Sequence, residues 1–193
     1  RFREGIPVAL NGKEVEPVAL VEELNLIAGR NGVGRIDHIE DRLVGIKSRE
    51  VYECPAATVI LEAHRDLEKA VLTRHELLYK QGVEEQWSFL VYTGLWMEPF
   101  REDLEAFINK TQERVTGDVK IKLYKGGLRV VGRSSPLSLY DIGLATYGQR
   151  ATFNQTWSEG FIELWGLPTR AANLVRSKSN FQKELPLRKK GKK

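Results

Sequence analysis

Gly29-Arg-Asn-Gly-Val-Gly-Arg-Ile-Asp-His-Ile-Glu-Asp-Arg-Leu-Val-Gly-Ile-Lys-Ser-Arg-Glu-Val-Tyr-Glu-Cys-Pro-Ala-Ala57 carries three structural signals in succession. Gly29 and Asn31-Gly32 tolerate positive φ and so end a helix. Residues 34 to 53 look extended, with Ile36, Ile39, Leu43, Val44, Ile46 and Val51 as apolar positions. Their alternation breaks around Glu40-Asp41-Arg42, which places a bend or hairpin turn there. Pro55 then suits the first turn of a new helix. A dinucleotide cradle needs a strand before its glycines and a helix after them. Here the order is helix, glycines, strand, so Gly29, Gly32 and Gly34 read as a helix-to-strand turn.

Upstream, residues 6 to 18 read as a short hairpin turning at Asn11-Gly12. Pro17 opens a helix with Leu20, Val21, Leu24, Ile27 and Ala28 on one face. Downstream, helical spacing runs from Pro55 to Lys80, and Gln81-Gly82 marks a break. A second helix is predicted from Glu84 to Thr93 and a third from Pro99 to Val115. The period then drops to two. Val119, Ile121 and Leu123 alternate with charged residues, Gly126-Gly127 turns, and Leu128 to Val131 returns. Gly160 to Leu167 is a mixed apolar stretch, and Thr169 to Phe181 reads as a polar helix. Strands and helices segregate instead of alternating, which predicts an α+β fold: an antiparallel sheet packed with helices, plus a C-terminal helical arm. The predicted division is 1-168 for the main domain and 169-193 for an arm and tail.

The 193 residues suffice for a sizeable core. No apolar run approaches the roughly 20 residues of a membrane span. The first residues, Arg1-Phe-Arg-Glu-Gly5, lack a signal-peptide core and read as the middle of a longer protein. Cys54 is the only cysteine, so no intrachain disulfide forms and a reducing, cytoplasmic setting is expected. The net charge of +4 is a tail property, because Arg188-Lys-Lys-Gly-Lys-Lys193 holds five basic residues and the rest sums to about −1.

His64, Glu68 and His75 fall on one helical stretch, but no further metal ligands stand at recognisable spacing. They read as a solvated or half-buried face, as does His38. Arg114, Lys120, Lys122, Lys125, Arg129 and Arg133 surround a single interleaved aromatic, Tyr124, which is too little for a base-stacking platform. A solvated sheet face or an oligomer contact fits better. Trp87, Trp96, Trp157, Trp165, Phe89, Tyr92 and Phe161 read mostly as core, with subunit contact as the other use of large aromatics. Glu40 and Tyr52 could converge on a small zwitterion, the carboxylate accepting from an ammonium or ureido N–H and the phenol offering both donor and acceptor.

Ordered blocks of sequence carry a resemblance. Gly32-Val-Gly-Arg-Ile-Asp37 with Glu40, Gly45-x-Lys-Ser-Arg49 and Tyr52-Glu-x-Pro-Ala56 form the first. Leu90-Val-Tyr-Thr-Gly94 with Trp96, then Gln112-Glu-Arg-Val115, Gly132-Arg-x-Ser-Pro-Leu-Ser-Leu-Tyr140 and Gly160-Phe-Ile162 follow. Together they resemble the carboxyl-terminal half of the argininosuccinate synthase family, from about Gly5 to Asn180. The resemblance implies an ATP-dependent ligase of arginine biosynthesis. The citrulline ureido oxygen attacks the α-phosphorus of ATP, and the aspartate amine then displaces AMP. It implies citrulline binding by Glu40 and Tyr52, with no catalytic and no metal-ligating residue assigned. It also implies a homotetramer built partly by the helical arm.

The family's phosphate-binding loop is absent, so ATP, its Mg2+ and most aspartate contacts are expected in an upstream domain. This chain alone is expected to be inactive. Cys54 stands where a Thr is usual, and the lysine-rich end is atypical. The rival readings are a stand-alone scaffold or nucleic-acid-binding module that uses the basic tail, and a split enzyme with its ATP-binding half on another chain. No membrane partner is expected.

Overall fold

Helix α2 (Pro55–Val71) organises the first of two compact units, Arg1–Asp141 and the segment from Ile142 onward. The computed structural model describes residues 1–146 and 152–184, with side chains through residue 178. The basic tail at 188 to 193 lies outside the described residues.

Along α2 the buried positions Ala56, Val59, Ala63, Leu67 and Val71 recur every three or four residues, so one stripe faces inward. Its first half packs with Leu24 and Ala28 of α1 (Pro17–Arg30) and with Val33. Its second half packs with Phe2, Leu72 and Val115, and Leu67 is 0% exposed. Ile60 and Ile121 touch both clusters and join them into one core. Ile121 reaches them from the hairpin of β7 (Asp118–Tyr124) and β8 (Gly127–Ser134). Val119, Ile121 and Leu123 face α2 while Lys120 and Lys122 stay exposed, as period two requires. The hairpin turns at Lys125-Gly126, one residue earlier than the sequence suggested, because both residues adopt positive φ there.

Strands occur as four two-stranded antiparallel sheets among the described residues, not as one continuous sheet. Near the amino end, β1 (Phe2–Arg3) pairs with β2 (Ile6–Pro7), and β3 (Ala9–Leu10) pairs with β4 (Lys13–Glu14) across Asn11-Gly12. The expected hairpin at Asn11-Gly12 is β3–β4, and β1–β2 is a second one that the sequence reading did not include. The central stretch forms β5 (Arg35–Asp41) and β6 (Lys47–Glu53).

Several helix boundaries differ from the sequence reading. The stretch from Pro55 does not run to Lys80. It breaks at Leu72-Thr73, and α3 (Arg74–Tyr92) continues through Gln81-Gly82 without interruption. The reason is a reciprocal cap. Thr73 Oγ1 accepts from the Glu76 N–H, and Glu76 Oε2 accepts from the Thr73 N–H at 2.9 Å. These bonds, and an ion pair with Arg114, hold the Glu76 carboxyl below its usual range. Gly82 is an exposed mid-helix glycine with open space where a Cβ would stand. Gly82→Ala should therefore stabilise the chain by about 0.5–1 kcal/mol through helix propensity, read as a higher urea midpoint with an unchanged slope.

Helix α4 (Pro99–Gln112) stops short of the expected Val115. Buried Arg101 ties its first turn to the preceding loop. Its Nε donates to the Trp96 carbonyl at 2.6 Å, and its guanidinium lies 4.5 Å from the Trp96 ring centroid. Across α2, α3 and α4 runs a buried polar chain. Lys80 Nζ meets Glu68 Oε1 at 3.0 Å and also pairs with Glu84. Gln112 Nε2 donates to Glu68 at 2.8 Å, and Gln112 Oε1 meets His64 Nε2 at 2.7 Å.

The second unit contains α5 (Ile142–Ala145) and α6 (Trp157–Glu184). The helix begins at Trp157, well before Thr169, and contains Pro168. That proline removes one ladder donor. Arg170 Nη2 donates to the carbonyl of Glu163 at 2.8 Å, close to the gap. Of the aromatic side chains expected mostly in a core, Trp87 is half-buried and the others are exposed. Trp96, Phe89 and Tyr92 are exposed, as are Trp157, Phe161 and Trp165 of α6, the last at 72%. Among the described side chains of α6, Phe161 stacks on Trp165, and Leu164, Leu174 and Val175 are also exposed.

Candidate functional site

The β5–β6 hairpin positions both residues singled out from the sequence. Every partner pair in it runs from Arg35↔Glu53 to Asp41↔Lys47 without a shift. The turn therefore occupies residues 42 to 46, closed by Arg42 N–H to Ile46 O at 2.9 Å and Gly45 N–H to Arg42 O at 2.7 Å. The bend expected around Glu40-Asp41-Arg42 lies further along, because Gly45 supplies the positive φ that the turn needs. Glu40 is thus a strand residue, not a bend residue.

Strand alternation separates two faces. Asp37, Ile39, Asp41, Lys47, Arg49 and Val51 share one, which is exposed. It is laced by Lys47–Asp41 at 2.6 Å and by Arg49 Nε to Asp37 Oδ1 at 2.7 Å. The Arg49 guanidinium holds the Asp37 carboxyl below its ordinary range.

Glu40 and Tyr52 share the other face with His38, Ser48 and Glu50. Tyr52 pairs with Ile36 and Glu40 with Ser48, so the two are offset along the ladder. The length of the phenol closes that offset, and Tyr52 Oη donates to Glu40 Oε1 at 2.9 Å. This bond, then partial burial and the nearby charge of Glu40, raises the Tyr52 pKa above its usual value. The phenol stays protonated at neutral pH and remains a donor. Glu50 is held by Arg42 at 3.1 Å. From α3, Tyr92 Oη donates to the Asp41 carbonyl at 2.9 Å, which joins the helix to the strand end beside Glu40.

The outcome is a half-buried Glu40 carboxylate with a hydroxyl donor already aimed at it. Such a pair can take an N–H donor on the carboxylate and an oxygen acceptor on the phenol. Sequence reasoning assigned Ser48 no role and gave Tyr92 a core or subunit-contact one. The signal for Ser48 was Gly45: centring the turn at residue 44 places Ser48 opposite Glu40, whereas a bend at 40–42 does not.

The glycine cluster does not fit a phosphate group. A Cβ on Gly34 would stand 2.3 Å from Pro55 Cα, so that space is filled by the chain itself. The N–H groups of Asn31, Gly32 and Val33, which a phosphate would need, donate instead to the Ala28 and Gly29 carbonyls at 2.8–3.1 Å. Among the described residues no three His, Cys, Asp or Glu side chains gather as a metal site. His64 and Glu68 belong to the buried polar chain, and His38 and His75 are exposed. Of the basic residues near β7 and β8, Arg133 is held by Asp66 at 2.9 Å and Arg114 by Glu76. No described helix is long and apolar enough to cross a membrane.

The profile of the family described as Arginosuccinate synthase C-terminal domain matches residues 1–172. An argininosuccinate synthase of Synechococcus sp. (strain JA-3-3Ab) is 60% identical over 169 residues, covering 88% of this chain and 42% of the relative. Those of Thermosynechococcus vestitus (strain NIES-2133 / IAM M-273 / BP-1) and Synechococcus elongatus (strain ATCC 33912 / PCC 7942 / FACHB-805) are 58% and 56% identical over the same shares. The chain spans about two fifths of the length of the curated relatives it matches. With the family profile covering most of its residues and the matched relatives this similar, the chain belongs to the argininosuccinate synthase family and corresponds to its carboxyl-terminal domain.

Proposed function

We propose that this chain forms the citrulline-holding wall of a ligase that joins citrulline to aspartate at the expense of ATP. Glu40 and Tyr52 hold the substrate. The carboxylate accepts from an N–H of citrulline, and the phenol trades its bond to Glu40 for one to the ligand. Bound geometry then replaces a bimolecular encounter. The observation that carries the reading is the Tyr52–Glu40 hydrogen bond on one face of a hairpin, formed by the two residues that the family resemblance assigns to citrulline. ATP, its Mg2+ and most aspartate contacts are placed in a portion of the protein upstream of this chain, as the family resemblance implies. The chain alone does not turn over ATP. The proposed setting is cytoplasmic.

The assembly we propose is a homotetramer, with the exposed apolar side chains of α6 as one of its contacts. Leu164, Trp165, Leu174 and Val175 are each exposed in the single copy, and large apolar side chains left in water mark interaction surfaces.

Glu40→Ala in the full-length enzyme tests the site. Loss of a hydrogen bond to a charged group predicts a citrulline KM higher by about tenfold or more, or a comparable fall in kcat, with native mass unchanged. Unaltered citrulline kinetics would remove Glu40 from the site.

A further inference from the structure

Ser48 sits directly opposite Glu40 in the β5–β6 register, where side chains on one face stand about 5 Å apart at Cβ. Its Oγ is shielded from solvent and has no hydrogen-bond partner among the described residues. Such a group is rare in a folded protein, because a buried hydroxyl without a partner forfeits its hydration for nothing. Two other polar side chains of this face are engaged: Tyr52 with Glu40, and Glu50 with Arg42, while His38 is exposed to solvent. An orphan hydroxyl beside the carboxylate of a candidate binding face is a group whose partner arrives from elsewhere.

We propose that Ser48 is a third substrate-contacting side chain of this site, and the proposal rests on the citrulline reading of the hairpin. A ureido amino acid carries both N–H donors and oxygen acceptors. Glu40 can only accept, so it takes the N–H. Ser48 Oγ donates to an oxygen of the same ligand. When the ligand takes the place of the Tyr52 hydroxyl on Glu40, the Ser48 hydroxyl opposite gains the partner it lacks. Ser48 thereby favours a ligand that presents an acceptor next to its donor.

The test uses the full-length enzyme with Ser48→Ala, Ser48→Thr and Glu40→Ala, reading citrulline KM, citrulline Kd by calorimetry and the urea midpoint. Ser48→Ala is expected to raise KM and Kd about five- to tenfold, the loss of one hydrogen bond. Its midpoint should stay level or rise, because an unpaired hydroxyl is removed. Ser48→Thr keeps the hydroxyl and should restore most of the affinity. If Glu40→Ala weakens citrulline binding while Ser48→Ala leaves it unchanged, the Ser48 assignment is overturned and the citrulline reading stands. Equal weakening by Ser48→Ala and Ser48→Thr would also overturn it, since the hydroxyl would then not be the cause. If neither Glu40→Ala nor Ser48→Ala affects citrulline, both the assignment and the reading beneath it fall.

Discussion

Gly34→Ala is expected to destabilise the chain by about 3–5 kcal/mol, from left-handed backbone strain together with overpacking. Gly34 has φ +93°, which L residues rarely adopt. A Cβ there would stand 2.3 Å from Pro55 Cα, 2.6 Å from Pro55 N and 2.9 Å from the Cys54 carbonyl carbon. All three are backbone atoms, so no rotamer change relieves the clash. Relief has to come from moving the junction between β6 and α2, which also breaks the Cys54 N–H to Gly34 O bond of 2.9 Å. Tyr52 lies two residues before that junction, so the displacement reaches the Glu40 pair as well. Gly45→Ala is the control. Its φ is +80° but no atom lies within 4 Å of the added Cβ, so only the backbone term of about 1–2 kcal/mol applies. Urea unfolding of both variants separates the terms, and a Gly34→Ala loss no larger than that of Gly45→Ala would show the close approach to be harmless.

Lys80→Met should cost about 3 kcal/mol, at the low end of what breaking a buried ion pair costs. Lys80 is 2% exposed and Glu68 6%. Removing the ammonium leaves the Glu68 carboxylate buried with a neutral donor from Gln112 and no full cation in direct hydrogen-bond contact. His64 Nδ1 stands 3.8 Å away, too far for a full hydrogen bond. Adding Glu68→Gln to Lys80→Met removes the stranded charge while keeping the shape. The double variant should recover part of the loss, a non-additivity that a double-mutant cycle reads directly. A Lys80→Met midpoint equal to the parent's would mean the pair contributes nothing to holding α2 and α3 together.

Much of the α+β architecture was legible because it rests on local rules. Pro17, Pro55 and Pro99 each open a helix, since a fixed φ and a missing N–H cost nothing in a first turn. The period of two from Val119 to Leu123 marked β7, since one side of the strand packs and the other meets water. The α2–α3 boundary was readable in Thr73-x-x-Glu76 but was masked by an apolar period that runs on through Leu77 and Leu78. Gly82 misled in the opposite direction. Its propensity cost is small enough for the surrounding packing of Val83 and Leu90 to override it.

The family, the Glu40 and Tyr52 candidates and the placement of most elements could be read from residue order. Residue type, spacing and local conformational preference are properties of the chain. Tertiary structure alone decided that Tyr52 donates to Glu40, that Ser48 stands opposite it without a partner, and that Lys80 is buried against Glu68. It also left Trp157, Phe161 and Trp165 exposed, where the sequence reading put them mostly in a core. Each of these depends on strand register or on which surfaces meet, and a shift of a single residue in a hairpin turn moves every pairing that follows.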